Sequence, residues 1–156
     1  MRPEFRDTRK QVLDCLSENS AAKLSRCLEG IHAADIAEFF PELPLPQRIK
    51  VLRVLEYSKA AEILFSLDRE ELPQLLAGLG PKRTAEILGK MFTDDAADLL
   101  GDLPEDQKNK LLGLMKAAEA EDIRDLLSYE KDTAGGLMAI EYVDVRKDMT
   151  INQAIE

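Results

Sequence analysis

A short motif recurs along this chain at intervals of one helix and its turn. Alanine, an acid and an aliphatic residue follow one another around Asp35, Glu62, Glu86 and Asp98, with a weaker copy at Asp122. The acids are 27, 24, 12 and 24 residues apart, so the common unit is about 12 residues. Repeats of this kind indicate stacked helices that contact mainly their neighbours. Helices this short are marginal in water alone, so stacking must hold them.

Apolar residues recur with the spacing of one helix face, i, i+3, i+4 and i+7. The clearest sets are Ile36, Phe39, Phe40 and Leu43, and Leu72, Leu75, Leu76 and Leu79. Aromatic residues make up 5% of the chain and Trp is absent, so we expect an aliphatic core. The pattern predicts an all-α fold, a right-handed superhelix of about ten short helices, although the spacing fits other α-solenoids equally well.

Proline and small polar residues suggest where the helices begin. Pro46, Pro81 and Pro104 suit a first helical turn, and Ser58 and Thr93 are expected N-caps. The predicted helices span residues 8–18, 20–29, 33–40, 46–56, 59–67, 69–79, 82–91, 94–102, 105–117 and 119–128.

The helical pattern stops before the end of the sequence. We interpret the pair Gly135–Gly136 as a helix stop and hinge; the alternating residues 142–145 have strand character, and Thr150 is the expected cap of a further helix. We therefore expect a helical domain over residues 1–130, a linker over 131–138 and the truncated start of a second domain over 139–156.

The charge of the chain is concentrated in its second part. Residues 1–60 contain 10 Lys and Arg against 9 Asp and Glu, whereas residues 61–156 contain 11 against 21. The acidity disfavours nucleic acid as a partner and suits cations. No apolar run approaches the roughly 18 residues that span a bilayer, and the charged start does not resemble a signal peptide, so we expect a soluble chain.

Few residues in the sequence suggest catalysis. Cys15 and Cys27 lack a metal-binding spacing and are interpreted as reduced thiols on neighbouring helices of a cytosolic protein. The single His32 is interpreted as a helix cap or packed ring. No nucleophile with a base stands in a supporting context, so we expect no enzymatic activity; a hydrolase with paired acids is a remote alternative.

The segment 94–106 contains six acids and no Lys or Arg. On a helix, Asp94, Asp98 and Asp102 share one side, and Asp95 neighbours Asp98. The helix dipole favours Asp94 and Asp95 in the first turn but does not account for Asp102. Since Mg²⁺ keeps several waters and needs only one or two carboxylates from each wall, these acids also suit a loose magnesium surface.

The residues around the glycine pair resemble a family junction. In MgtE-type magnesium transporters a helical cytosolic domain leads into the first CBS domain through a similar sequence. The matching residues are Tyr129–Glu130, Asp132, Ala134–Met138, Glu141–Val143, Val145–Arg146 and Met149–Thr150. The resemblance covers about 20 residues closely, and upstream it rests on repeat style and short strings.

The resemblance implies a role and a set of metal ligands. The strings Lys59–Glu62 and Asp94–Asp98 look like those through which this domain binds Mg²⁺ held against the CBS side. Carried over to this sequence, the resemblance gives Glu62 and Asp94 as the expected Mg²⁺ ligands. It supports Asp95 and Asp98, which neighbour Asp94, less strongly. The implied function is a cytosolic regulatory domain that senses Mg²⁺ and stabilises the closed pore. Its implied partners are the CBS and transmembrane domains of a parent transporter, as a homodimer.

A second class of function stays open. The middle domain of flagellar motor switch proteins has strings similar to Ala60–Leu64, and such a domain would be a helical interaction module without a metal role. The strand-like residues 142–145 argue against it, because a motor-switch chain would continue in helices.

Overall fold

The computed structural model describes residues 3–18, 20–130, 133–140, 146–147 and 149–152, with side chains from residue 9 onward. Its described residues form ten α-helices and two 3-10 turns and contain no strand. The helices are α1 (Pro3–Ser17), α2 (Ala21–Leu28), α3 (Ala33–Phe39), α4 (Leu45–Val54), α5 (Tyr57–Phe65), α6 (Leu72–Leu79), α7 (Pro81–Leu88), α8 (Thr93–Gly101), α9 (Glu105–Leu112) and α10 (Ala117–Leu127). The 3-10 turns are Phe40–Glu42 and Arg69–Glu71.

The helices stack in the manner that the repeat predicts. Most helices pack against the second helix along: α3 against α5, α5 against α7, α7 against α9, and likewise α2 against α4 and α4 against α6. Helices α1 and α2 pack mainly against each other. Helix α10 lies along α8. The all-α superhelix expected from the sequence is confirmed.

The repeated motif sets both the packing and the surface of the stack. Ala60, Ala61, Ala96 and Ala97 are buried, as are the aliphatic residues that follow the acids. Small side chains at these positions let neighbouring helices approach closely, while the acid between them, such as Glu62, is left outside. The core is aliphatic as expected, with Phe39 and Phe40 as its fully buried aromatic residues among those described.

Several helix starts differ from the sequence prediction. The N-caps are Glu56 for α5 and Phe92 for α8, so Ser58 and Thr93 are already inside their helices. Glu56 and Phe92 each have an extended backbone, so each helix begins at the next residue without a capping side chain. Among the described caps of α2–α10, only Ser20 bonds a backbone N–H through its side chain, to Lys23 N at 3.4 Å.

Two turns depend on glycine. Gly80 joins α6 to α7 with φ +84°, a conformation that residues with a Cβ rarely adopt. Gly135 lies against the ring of Tyr129, where a Cβ would clash with Cδ1. Helix α10 ends at Leu127, one residue before its predicted end, and the glycine pair lies in a turn beyond it. The strand expected over 142–145 lies outside the described residues.

A cationic side chain near the start of one helix donates hydrogen bonds to backbone carbonyls at the end of an earlier helix. Lys59 of α5 donates to the carbonyls of Leu28 at 3.2 Å and Ile31 at 2.7 Å. Twenty-four residues on, Arg83 of α7 donates to Leu52 O at 2.9 Å and also to Leu55 O. Carbonyls at the end of a helix lack donors within that helix. Leu28 O also accepts the Ile31 N–H at 3.3 Å, and the cations add charged donors to these acceptors.

The third repeat lacks this cation. The residue 24 positions after Arg83 is Gln107 of α9, and the corresponding carbonyls are those of Leu76 and Leu79. Gln107 lines a cleft of about 190 Å³ there, together with Gly80 and Thr84. The Thr84 hydroxyl donates to Leu76 O at 3.3 Å, a weaker bond than the guanidinium makes one repeat earlier.

Arg83→Gln should lower the free energy of unfolding by about 3 kcal/mol or more, because hydrogen bonds from charged donors contribute about 1.5–3 kcal/mol each and two carbonyls lose theirs. The cation also covers the ring of Tyr57, with 4.8 Å between Cζ and the ring centroid. Urea denaturation followed by circular dichroism measures the change. The adjacent exposed Lys82→Gln should stay within about 0.5 kcal/mol of wild type. Equal losses in both variants would contradict the role of Arg83.

Gln107→Arg should raise the free energy of unfolding by about 0.5–1.5 kcal/mol, since it supplies the missing donor to the end of α6. The same denaturation experiment measures it, with Gln107→Ala as the control that adds no donor. A gain that is the same for Arg and Ala would mean that helix propensity, not the carbonyl contact, is responsible.

Candidate functional site

The acids of segment 94–106 form one face of α8 and the turn that follows it. Asp94 and Asp95 lie in the first turn, where the helix dipole favours them. Asp98 lies one turn further and Asp102 is the C-cap. Asp94, Asp95 and Asp98 are half-buried, and Asp102 is exposed. The predicted acidic face therefore exists on the surface of the stack.

Arg69 neutralises the second half of this face. Its guanidinium, from the 3-10 turn Arg69–Glu71, binds Asp98 Oδ2 at 2.6 Å and Asp102 Oδ2 at 2.8 Å. Both carboxylates raise the pKa of Arg69 above its ordinary value, so the guanidinium stays charged. This contact accounts for Asp102, which the dipole does not explain. Sequence reasoning missed Arg69 because it is 29 residues from Asp98 and no spacing links the two.

Asp94 and Asp98 line the same cleft, between α8 and α10. The cleft measures about 160 Å³, and Ala97, Gly101, Leu126 and Leu127 form its apolar walls. Lys108 reaches it from α9, with Nζ bonded to Glu105 Oε2 at 2.9 Å. The cleft thus places two carboxylates near one ammonium group.

The glycine turn closes one side of this cleft. Tyr129 and Gly136 are among its lining residues. Thr133 holds the turn: its hydroxyl donates to Glu130 O at 2.7 Å and accepts from Gly136 N at 3.2 Å. The ring of Tyr129 contacts Gly135, so the turn packs beside Asp94 and Asp98.

The other expected ligand lies elsewhere on the stack. Glu62 is on the exposed face of α5, and neither it nor Asp95 is among the described residues that line the cleft. Within the described part of the chain, no three His, Cys, Asp or Glu side chains are grouped closely enough to hold a metal ion. The structure brings Asp94 and Asp98 together and leaves Glu62 apart.

The chemistry of these side chains suits a hard, hydrated cation. Carboxylate oxygens are the ligands that Mg²⁺ prefers, and Mg²⁺ usually keeps several waters while one or two carboxylates bind it. Asp94 and Asp98 fit one wall of such a site. Arg69 already occupies one oxygen of Asp98, so a cation at Asp98 must use the other oxygen or displace the guanidinium.

The fold and the cleft define a class: a stacked-helix domain with an acidic surface. The model of the MgtE intracellular N domain family matches residues 31–132. The "Magnesium transporter MgtE" of Thermus thermophilus is 36% identical over 145 residues, which are 91% of this chain and 32% of that protein. The chain belongs to the MgtE intracellular N domain family, as the resemblance at the glycine pair predicted. It spans about a third of that curated relative.

Solved structures support the same assignment. The cytosolic domain of the Mg²⁺ channel MgtE, crystallised in complex with ATP, is 36% identical with a TM-score of 0.77, over 93% of this chain and 60% of that one. The soluble part of a magnesium transporter is 27% identical with a TM-score of 0.80, over 97% and 60%. The family is described as intracellular, in agreement with the location implied by the sequence. None of the described helices is long and apolar enough to cross a membrane.

Proposed function

We propose that this chain is the cytosolic regulatory domain of an MgtE-type magnesium transporter, and that it senses Mg²⁺ through Glu62, Asp94, Asp95 and Asp98. The observation that carries the proposal is the cleft that Asp94 and Asp98 line together from one side of α8. Membership of the MgtE intracellular N domain family supports the magnesium context.

The acids act as one wall of a shared site. Carboxylates on this domain and on a facing domain repel each other when the ion is scarce. Hydrated Mg²⁺ offsets that repulsion when it is plentiful, so the facing surfaces approach and the closed state gains stability. The effect is a coupling free energy between ion occupancy and domain closure. The facing partner is proposed to be the CBS domain that follows residue 138, with the transmembrane domain further on and a homodimeric parent protein.

The position of the glycine turn suits this mechanism. The turn is seated on Tyr129 and lines the cleft through Gly136, so the chain leaves the helical stack beside Asp94 and Asp98. A domain that begins after a short linker is therefore tethered close to the acids. We propose that Glu62, on α5, meets a different part of the same partner.

Mg²⁺ should bind this chain alone weakly, with a Kd of about 1 mM or higher, because one wall of the site leaves the ion largely hydrated. NMR amide shifts on titration should concentrate at Glu62 and residues 94–98, and Asp94→Ala should reduce the shifts at the cleft. Asp122→Ala, which removes the repeat acid of α10, should leave them unchanged. Equal shifts at all acids, unaltered by Asp94→Ala, would indicate general screening and leave the interaction-module alternative.

In the parent transporter, Glu62→Ala combined with Asp94→Ala should weaken closure rather than conduction, since these residues lie on the helical stack and bias only the closed state. A coupling of about 1–3 kcal/mol predicts that inhibition requires roughly 5–150-fold more Mg²⁺ if the whole coupling is lost. Channel open probability against cytosolic Mg²⁺ measures it, with Glu86→Ala and Asp122→Ala together as the charge-matched control. An unchanged curve would leave the domain as a passive helical spacer.

A further inference from the structure

The two cysteines lie next to each other across the first helix pair. Cys15 is on α1 and Cys27 on α2, and both are half-buried free thiols. The Cys27 thiol donates to the carbonyl of Gln11, with 3.5 Å between Sγ and O. In an α-helix that carbonyl also accepts the backbone N–H of Cys15, four residues on. The sulfur of Cys27 therefore lies beside the helical turn that ends at Cys15.

The environments of the two thiols differ. Burial, the hydrogen-bonded Cys15 thiol and the carboxylates of Asp14 and Glu18 together raise the pKa of Cys27 to about 11. At neutral pH the Cys27 thiol is thus almost wholly protonated and is a poor nucleophile. Cys15 instead lines a surface groove of about 210 Å³ and can be reached from solvent.

The groove beside Cys15 has cationic borders. Lys50 and Arg53 of α4 line it together with Ser20. Arg53 is held in place by its bond to Gly78 O, at 2.7 Å. Cations in a groove raise the local concentration of anionic reagents. The groove therefore suits a small disulfide that carries carboxylates.

We propose that Cys15 and Cys27 form a reversible disulfide that fastens α1 to α2, and that Cys15 reacts first, with an anionic low-molecular-weight disulfide such as oxidised glutathione. The Cys15 thiolate attacks one sulfur, the reagent's S–S bond breaks, and one reagent thiolate leaves and takes up a proton. Cys27 then loses its proton and attacks the Cys15 sulfur of the mixed disulfide, which releases the second reagent thiol. Two protein thiols are oxidised and one reagent disulfide is reduced to two thiols.

The disulfide would affect the end of the helical stack that contains α1 and α2. Helix α1 packs against α2 and α3, and the Glu18–Lys23 ion pair spans the turn that joins α1 to α2. A bond between residues 15 and 27 closes a short loop in the unfolded chain and so favours the docked hairpin. Oxidation would convert a terminal helix held by packing into one held covalently.

Mass spectrometry of the chain under non-reducing conditions, after exposure to oxidised glutathione, tests the proposal. The wild-type monomer should lose two hydrogens and become resistant to iodoacetamide. Cys27→Ser should retain one glutathione on Cys15, whereas Cys15→Ser should stay mostly unmodified at neutral pH. The oxidised wild type should also unfold at a higher urea concentration than the reduced form. Glutathione retained on both cysteines, cross-linked dimers, or equal reactivity of the two single variants would each overturn the proposal.

The cationic groove has its own control. In the Cys27→Ser background, Lys50→Gln should slow addition of oxidised glutathione by roughly tenfold, the lower end of the effect that charged clefts produce. The neutral hydroxyethyl disulfide should react at the same rate with and without Lys50. If the proteins with and without Lys50 reacted with oxidised glutathione at equal rates, the groove would not select anionic reagents, and this part of the proposal would be wrong.

Discussion

Burial of narrow aliphatic stripes between short helices is the interaction on which the rest of this structure depends. The described helices are 7–15 residues long, too short to persist in water without neighbours. Alanine at the repeated contact positions lets backbones approach closely, and leucine and isoleucine fill the space between layers. Close stacking also places helix ends against later helices, where Lys59 and Arg83 can reach their carbonyls.

The same packing determines where the negative charge goes. Once the alanines and the following aliphatic residue of each motif are buried, the acid between them is directed outward. On α8 the acid of the motif, Asp98, shares one side of the helix with Asp94 and Asp102, an arrangement that costs free energy unless cations offset it. Arg69 offsets Asp98 and Asp102, and the helix dipole favours Asp94 and Asp95. A surface whose charge is only partly offset within the chain is suited to respond to a divalent ion.

The cleft lies between this acidic surface and the turn through which the chain continues. Helix α10 lies along α8 and ends beside it, and Tyr129 then provides the seat for Gly135. The turn held by Thr133 therefore lies at the acids rather than at a distant end of the stack. Under the proposed function, Mg²⁺ bound near Asp94 would affect the orientation of a domain that follows this turn.

The sequence by itself determined the fold class, the approximate number of helices, the aliphatic core and the family, because periodicity and a dense local motif depend only on residues close together in the chain. It also identified α8 as the acidic helix. The tertiary structure alone decided that Arg69 pairs with Asp98, that Asp94 shares a cleft with Lys108 while Glu62 lies apart, and that Cys15 and Cys27 are neighbours. Helix starts at Glu56 and Phe92 also escaped prediction, since backbone turns rather than capping side chains set them. These features arise from contacts between residues far apart in sequence. The spacing of residues along the chain does not determine which helix faces pack together.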